Sequence, residues 1–183
     1  MSAASGLNAF MWCWLARPKC DRTVFKLIRK HKPRKLLLLG LSDSVRPLRM
    51  ISLAKRYRPE DSIDFAGLDR FDSRPAGTPG LSLKHAHQVL RPTGARINLL
   101  PGEPYEALMR AANMLHGIEF VVISASQNTD SLSRSWFFLN RLLSPQAIVL
   151  REEVAAEQQL IKPISRAELD RLAASAIPHR RAA

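Results

Sequence analysis

Five short apolar runs recur along the chain, and a segment with helical periodicity separates each run from the next. The runs are Lys35–Leu39, Ile63–Leu68, Arg96–Leu100, Phe120–Ser124 and Ala147–Leu150. A short run of consecutive apolar residues suits a strand that is buried on both faces. Because parallel strands are joined by crossover helices, this alternation predicts an α/β fold, a doubly wound and mostly parallel sheet with helices on both faces.

The segments between the runs carry signals for helix ends. Asp43 or Ser44 can cap the helix after the first run, and Asp130 can cap the helix before the fifth. The other predicted helices are Arg22–Lys32, Leu81–Leu90 and Tyr105–Leu115. After the fifth run comes a short apolar piece, residues 160–164, and then the capping box Ser165–Glu168, which opens a last helix.

The length of 183 residues is that of a single domain. We predict an N-terminal basic and aromatic arm at residues 1–21, a domain at 22–175 and a disordered basic tail at 176–183. Hydrophobic residues make up 46% and charged residues 24%, proportions that exclude collagen-like and largely disordered chains. No run approaches the roughly 18 apolar residues that a membrane span needs.

Positive charge is concentrated near the N-terminus. The net charge is +12, and residues 1–35 contain nine Lys/Arg but only one acidic residue, Asp21. A nucleic-acid-binding domain would spread its basic residues over the folded core. Two interpretations follow. Residues 17–35 form the solvated face of a helix that covers the sheet, or they make a weak, nonspecific contact with an anionic polymer or a membrane surface.

A second N-terminal feature is the apolar run Leu7–Leu15. No basic residue precedes it, which argues against a cleaved secretory signal. The run either packs on the domain or on another protein surface, or Trp12 and Trp14 anchor it at a membrane interface. Cys13 and Cys20 lack the further ligands of a zinc site, so we expect no metal and interpret them as reduced thiols of a cytoplasmic protein.

Ligands of doubly wound sheets bind beyond the carboxyl ends of the strands, near the switch point beside the first strand. The residues at these ends are Gly40–Ser44, Asp69–Phe71, Gly102–Glu103 and Ser124–Asn128. Their order resembles that of the class I S-adenosylmethionine-dependent methyltransferases. The resemblance implies a Rossmann-like methyltransferase fold, shortened at the C-terminus, with S-adenosyl-L-methionine as cofactor and methyl transfer to an oxygen or nitrogen nucleophile of an acceptor substrate.

The first strand and its loop resemble the family's acidic strand end and Gly-x-Gly-x-Gly loop. Gly40 matches the first glycine, Ser42 and Ser44 stand at the other two, and Leu38 stands at the acidic position. The resemblance implies that Gly40, Ser42, Asp43 and Ser44 hold the methionine part of the cofactor through backbone N–H groups at a helix N-terminus.

The later strand ends extend the resemblance. Asp69 looks like the family's ribose-binding carboxylate, and Gly102-Glu103 resembles the pair that meets the adenine. Alternatively, Asp69 ends its strand by accepting loop N–H groups and Glu103 caps the next helix. Ser124 stands where metal-dependent members carry an aspartate, which argues against that branch. Residues 142–149 resemble the family's turn before the fifth strand, with both glycines replaced.

Two functions follow from these residues. The first is an S-adenosylmethionine-dependent methyltransferase. The second is a non-catalytic protein of the same fold that acts as an interaction module through its basic arm, and the replacements Leu38, Ser42 and Ser44 favour it. A nicotinamide-dependent enzyme is disfavoured because the loop lacks the second glycine that admits a pyrophosphate.

Methyl transfer depends mainly on proximity and alignment, with at most one general base. Our candidate for that base is His87, which follows the glycine- and proline-rich loop Phe71–Gly80. Glu152 and Glu153 follow the fifth strand, and they either line the cleft or form a solvated strand end.

Overall fold

The computed structural model describes residues 11–14, 16, 19–78, 80–127, 129–155 and 158–176. Six strands form one sheet in the order β3-β2-β1-β4-β5-β6. They are β1 (Lys35–Leu39), β2 (Asp64–Asp69), β3 (Arg96–Pro101), β4 (Ile118–Ile123), β5 (Leu143–Ala155) and β6 (Gln158–Ile164). Strands β1 to β5 are parallel, and β6 is antiparallel to β5. The predicted doubly wound, mostly parallel sheet is confirmed.

Helices cover both faces of this sheet. They are α1 (Lys19–His31), α2 (Val45–Tyr57), α3 (Leu83–Leu90), α4 (Pro104–Ala111), α5 (Asp130–Leu142) and α6 (Arg166–Ser175). Helices α1 to α3 pack into one core, and α4 to α6 pack into the other. Leu36 and Leu38 belong to the first core, whereas Leu37 and Leu39 belong to the second. Because successive strand residues point to opposite faces and helices cover both, the four buried residues of β1 that follow Lys35 are all leucine.

Side-chain caps begin several of the helices. Ser165 accepts a first-turn N–H of α6 at 3.2 Å, and Asp43 accepts one of α2 at 2.8 Å. The prediction that Asp130 caps α5 is wrong, because Thr129 accepts the first-turn N–H there. Thr129 has the extended backbone that a capping residue needs, whereas Asp130 is already the first helical residue.

Several element boundaries differ from the sequence prediction. α4 ends at Ala111 rather than Leu115. The prediction was too long because Leu115 also packs against the core and so continues the helical pattern of apolar residues beyond the helix end. α1 begins at Lys19, so the predicted boundary between residues 21 and 22 falls inside this helix. Strand β5 is longer than predicted because it forms a hairpin with β6.

Parts of the N- and C-terminal predictions lie outside the described residues. Of the apolar run 7–15, the structure describes residues 11–14, and of the tail 176–183 it describes residue 176. Within the described part of the chain, no helix is long and apolar enough to cross a membrane.

Candidate functional site

The first strand ends in a glycine turn between two neighbouring strands. The Gly40 N–H donates to the Leu68 carbonyl at 2.7 Å, and the Ser124 N–H donates to the Leu39 carbonyl at 2.9 Å. The turn therefore lies at the point where the strand order reverses, between β2 and β4. Gly40 has a φ of 91°, and a Cβ there would lie 2.8 Å from the Ser124 Cβ. Both the backbone conformation and the close approach require glycine.

Asp69, the last residue of β2, is a buried carboxylate whose two oxygens are engaged. Its Oδ2 accepts the Leu41 N–H from the glycine turn, and its Oδ1 accepts the Phe71 N–H at 3.2 Å. Oδ1 also forms an ion pair with Arg74 Nη2 at 2.7 Å. Asp69 is 3% exposed. Its side chain therefore joins the turn after β1 to the loop after β2.

Arg74 lies in the loop between β2 and α3, and its guanidinium is enclosed by the protein. Nη2 donates to the Leu41 carbonyl at 2.9 Å, and Nη1 donates to the Leu81 carbonyl at 2.8 Å. A Cβ at Gly80 would lie 2.1 Å from Arg74 Cζ, so the loop closes tightly around the guanidinium. We call Arg74 and Asp69 the Arg74 pair.

A second arginine, Arg46 in the first turn of α2, joins three elements on the other side of the turn. Its Nη2 lies 2.7 Å from Asp21 Oδ1 in α1 and 2.6 Å from Glu152 Oε1 in β5. Its Nη1 donates to Ser124 Oγ at 3.3 Å. Glu152 Oε2 accepts the Ala125 N–H at 3.2 Å. We call Arg46, Asp21 and Glu152 the Arg46 cluster.

Burial and ion pairing shift the pKa values of Arg46 and Asp21 in opposite directions. Burial by itself would lower the pKa of Arg46, but the carboxylates of Glu152 and Asp21 outweigh it and raise that pKa. Burial raises the pKa of Asp21, and the guanidinium of Arg46 opposes this shift. Burial, together with the charge of Glu152, raises the pKa of the Cys20 thiol to about 11. At neutral pH the charged guanidinium of the cluster therefore lies beside the un-ionised thiol of Cys20.

The same residues have the spacing of a cation site. Cys20, Asp21 and Glu152 offer ligand atoms that all lie within 4.8 Å of one another. The positive charge between the two carboxylates is already supplied by Arg46. Metal ions bind the thiolate rather than the thiol, and the raised pKa of Cys20 disfavours the thiolate. This donor set therefore fits the arginine better than a metal ion.

A cleft of about 540 Å³ opens beside the Arg46 cluster, above the carboxyl ends of β1, β4 and β5. Its wall is polar. Besides the cluster, the lining includes Ser42, Asp43, Arg49, Ser124 and Gln159. The cleft lies between the glycine turn and the β5–β6 hairpin, which is the position where open α/β sheets bind ligands.

No family model and no curated protein sequence matches the chain, but solved structures match it in fold. The O-methyltransferase from Bacillus cereus, in complex with SAH, has a TM-score of 0.56 at 13% identity, over 85% of this chain and 69% of that one. A putative O-methyltransferase from Klebsiella pneumoniae gives 0.53 at 15% identity, over 95% and 73%. The chain has the class I S-adenosylmethionine-dependent methyltransferase fold.

A third similar structure is the MycE methyltransferase of the mycinamycin biosynthetic pathway, in complex with Mg, SAH and mycinamycin VI. Its TM-score is 0.52 at 16% identity, and the match covers 82% of this chain but 38% of that one. The chain thus spans well under half of the MycE protein. The TM-scores establish the shared fold. At sequence identities this low, the ligand and the reaction have to be argued from the residues of this chain.

The predicted methionine-binding residues lie around the glycine turn. Gly40 forms the turn, and Ser42 and Asp43 line the cleft. Asp43 also caps α2, and Ser44 stands at the start of that helix without a side-chain hydrogen bond to it. Leu38, at the family's acidic position, is 1% exposed and belongs to the core. A carboxylate at that position would be buried rather than exposed to the cleft.

The remaining predicted residues lie on the β2–β3 side or away from the cleft. Gly102 has a φ of 122°, and its N–H donates to the Asp69 carbonyl at 2.9 Å. Glu103 forms an ion pair with Arg70 and makes no side-chain cap of α4. His87 is exposed on α3 and is not among the residues that line the cleft.

Sequence reasoning missed the partners of the buried carboxylates. Neither Arg46 nor Arg74 stood out, because each was one of many arginines in a basic chain. Glu152 was predicted either to line the cleft or to form a solvated end, and it is a cleft residue that is 2% exposed. A buried-looking aspartate or glutamate at a strand end was the one available signal that a cation must lie nearby.

Proposed function

We propose that this protein binds S-adenosylmethionine at the carboxyl end of its sheet and transfers the methyl group to an oxygen or nitrogen nucleophile. The observation that supports this most directly is the glycine turn of Gly40. The turn lies at the switch point of the sheet, and the next residues of the loop, Ser42 and Asp43, line the polar cleft. The B. cereus and MycE proteins, which share the fold, were both solved with SAH, the product left by methyl donation.

In this proposal the bound cofactor supplies an electrophilic methyl group, and the residues of this chain bind and orient it. Ser42 and Asp43 would face its methionine part from the cleft, and the Gly40 turn would set the position of that loop. Asp69 would accept hydrogen bonds from the ribose hydroxyls, and Glu103 would face the adenine. Leu38 provides no carboxylate for the ammonium group, so we expect weak binding compared with a site that has this charge-assisted bond.

The proposed site fits an adenosyl ligand at Asp69 only after one internal contact is released. Arg74 occupies Asp69 Oδ1 at 2.7 Å, and the Asp69 side chain is almost fully buried. A ribose diol needs an exposed acceptor at this position. Binding therefore requires the loop between β2 and α3 to withdraw Arg74, and the affinity is reduced by the free energy of that opening.

Methyl transfer to a protonated nucleophile can also use a general base, which removes the proton. Glu152 and Asp21 line the cleft, but each has a carboxylate oxygen paired with the Arg46 guanidinium, so neither is free to face an acceptor group. His87 remains a candidate from the sequence, although its exposed position on α3 is outside the cleft. We therefore propose that transfer relies on alignment of donor and acceptor.

The second candidate function is a non-catalytic protein of the methyltransferase fold. It is favoured by two observations, the occupation of Asp69 by Arg74 and the burial of Leu38 in the core. In this case the fold serves as a scaffold. For both candidates we propose a cytoplasmic location, because the two cysteines are free thiols.

Titration calorimetry with S-adenosylmethionine and SAH separates the two candidates. We expect weak binding to the wild type. Arg74→Gln should bind about ten- to a hundredfold more tightly, since it removes a charge-assisted bond worth roughly 1.5–3 kcal/mol. Asp69→Ala should bind more weakly than the wild type. Arg96→Gln, which removes a well-exposed arginine, should equal the wild type.

Two results would reject the adenosyl site. If neither ligand at millimolar concentration binds the wild type or Arg74→Gln, the non-catalytic function stands. If Asp69→Ala binds as well as the wild type while remaining folded, Asp69 is outside the site. Thermal unfolding with and without ligand provides an independent readout, because a ligand that binds only the folded state raises the melting temperature.

A further inference from the structure

Helix α1 has a basic face that points away from the sheet. Val24, Phe25 and Ile28 are buried in the core. Lys26, Arg29, Lys30 and Lys32 are exposed, and we call these four residues the basic face. Residues three and four apart lie side by side on a helix, so Lys26, Arg29 and Lys30 form one patch, and Lys32 follows just past the helix end.

The charges of this face are not neutralised within the described part of the chain. Among the residues described, no carboxylate lies within ion-pairing distance of any of the four. Two neighbouring basic residues do have partners: Arg34 forms an ion pair with Asp61, and Arg22 donates a hydrogen bond to the Ala16 carbonyl. Four like charges held side by side repel one another, so the arrangement is stabilised by an anionic partner.

Large apolar side chains lie beside the basic face. The helical turn formed by residues 11–14 buries Cys13 in the core, but Met11 is 41% exposed and Trp14 is 50% exposed. Lys26 Nζ lies 4.0 Å from the centre of the Trp14 ring. Burial raises the pKa of the Cys13 thiol, and the positive charges of Arg29 and Lys26 oppose that rise because both lie near this turn. Cations and exposed apolar groups thus share one surface.

We propose that this surface, the basic face together with Met11 and Trp14, binds anionic phospholipid headgroups at a membrane surface. The charge pattern matches a layer of phosphates, and an exposed tryptophan beside lysines suits the boundary between headgroups and acyl chains. The apolar residues of α1 are buried in the protein core, so this helix cannot insert them into lipid. Trp14 and Met11 are exposed and would enter the interface, while the domain stays outside the bilayer.

A nucleic-acid partner fits the same surface less well. Sequence-tolerant binding of single strands uses aromatic rings as stacking platforms for bases. Here one face of the Trp14 ring is covered by the Lys26 ammonium. Met11 is an apolar group without a role in binding phosphates or sugars, whereas it contributes directly to insertion among lipids.

Vesicle co-sedimentation of the full chain tests this proposal. Vesicles of phosphatidylcholine with an equal part of phosphatidylglycerol should bind the wild type, and vesicles of phosphatidylcholine alone should bind it much less. The variant with Lys26, Arg29, Lys30 and Lys32 all changed to Gln should bind at least roughly a hundredfold more weakly, because each basic residue near an anionic surface is worth about fivefold. Binding should also weaken with salt.

The matched control removes the same charge elsewhere. Changing Lys84, Arg91, Arg96 and Arg171 to Gln removes four exposed basic residues outside the basic face. This control should keep most of the wild-type affinity, since its residues lie off the proposed surface. An equal loss in both variants would overturn the proposal in favour of net charge alone.

The apolar contribution has its own pair of variants. Trp14→Ala should weaken binding to the anionic vesicles several-fold, whereas Met114→Ala, which truncates a residue that is 64% exposed at another site, should not. Equal binding of anionic and neutral vesicles would reject the headgroup interaction. Binding of a generic single-stranded RNA without binding to anionic vesicles would reject it in favour of nucleic acid.

Discussion

Two buried arginines stand on either side of the glycine turn, and they are held in different ways. Arg46 belongs to a helix and bridges two carboxylates, Asp21 in α1 and Glu152 in β5. Arg74 belongs to a loop and pairs with one carboxylate, Asp69, while backbone carbonyls accept its other N–H groups. Both side chains are almost equally buried, at 14% and 11% exposed.

The comparison shows that burial alone does not define the role of an ion pair. Without Arg46, the two carboxylates of its cluster would be left buried without their common cation. Without Arg74, Asp69 would still accept the N–H groups of Leu41 and Phe71. The Arg46 cluster therefore has the character of a structural link between α1, α2 and β5, whereas the Arg74 pair can open at modest cost.

The largest expected effect is that of breaking the Arg46 cluster. Arg46→Met should lower the free energy of unfolding by about 3–5 kcal/mol, because removing one partner leaves buried charge uncompensated. The triple variant Arg46→Met, Asp21→Asn and Glu152→Gln should recover much of this loss. Urea denaturation measures both, and Arg58→Met at an exposed ion pair provides the control. A loss below about 1 kcal/mol for Arg46→Met, the range of surface pairs, would contradict the structural role.

Opening the Arg74 pair should have a smaller effect. Arg74→Gln should lower the free energy of unfolding by about 1–3 kcal/mol, since Asp69 keeps two backbone donors. Gly80→Ala should act in the same direction, because its Cβ would displace the guanidinium of Arg74. Urea denaturation of each single variant beside Arg46→Met gives the comparison directly. If Arg74→Gln lowers the free energy of unfolding as much as Arg46→Met does, the Arg74 pair is as much a structural link as the Arg46 cluster.

The Arg46 cluster should also show a pH dependence. Burial raises the pKa of Asp21 in the folded protein, so protonation favours the folded state. This contribution is present below the unfolded pKa and is lost as the pH rises through the folded pKa. The stability of Asp21→Asn relative to the wild type should therefore improve as the pH rises from about 4, near the pKa of an unfolded aspartate, towards neutrality. Asp170→Asn, at an exposed position, should show no such trend in the same urea titrations.

The smallest effect should come from a solvent-exposed pair on the β5–β6 hairpin. The ammonium of Lys162 holds the pKa of the Glu153 carboxyl below its usual value through a hydrogen bond. Because the pKa is lower in the folded state, the ionised carboxyl stabilises the folded protein at pH values above the unfolded pKa. This stabilisation is lost as the pH falls through the folded pKa. Lys162→Gln should lower stability less than Arg46→Met or Arg74→Gln in the same urea titrations, because solvent screens the pair. A change as large as that of Arg74→Gln would show that exposure does not separate the sites.

Much of the fold followed from local patterns in the sequence. The run Lys35–Leu39 predicted β1 with its observed bounds, because four consecutive leucines suit a strand that is buried on both faces. Ser165 and Asp43 predicted helix starts, because a side-chain cap depends on residues two or three positions away. The resemblance carried by Gly40 and the other strand ends predicted the methyltransferase fold, which the solved structures confirm.

Only the tertiary structure decided what surrounds the strand ends. Arg74 lies five positions after Asp69 and Arg46 lies more than a hundred positions before Glu152, so no helix or strand periodicity relates either pair. Which cation compensates a buried carboxylate depends on how helices and loops pack over the sheet, and each of the many basic residues was an equal candidate beforehand. The sequence by itself determined strands β1 to β5 and most of the helices, because these depend on near neighbours along the chain. Strand β6 and the added length of β5 depend on pairing across their hairpin. The occupied state of Asp69 and the cleft beside Arg46 were decided in three dimensions. The Leu41 carbonyl, from the turn after β1, holds Arg74 beside Asp69, and the cleft is formed by segments far apart in sequence.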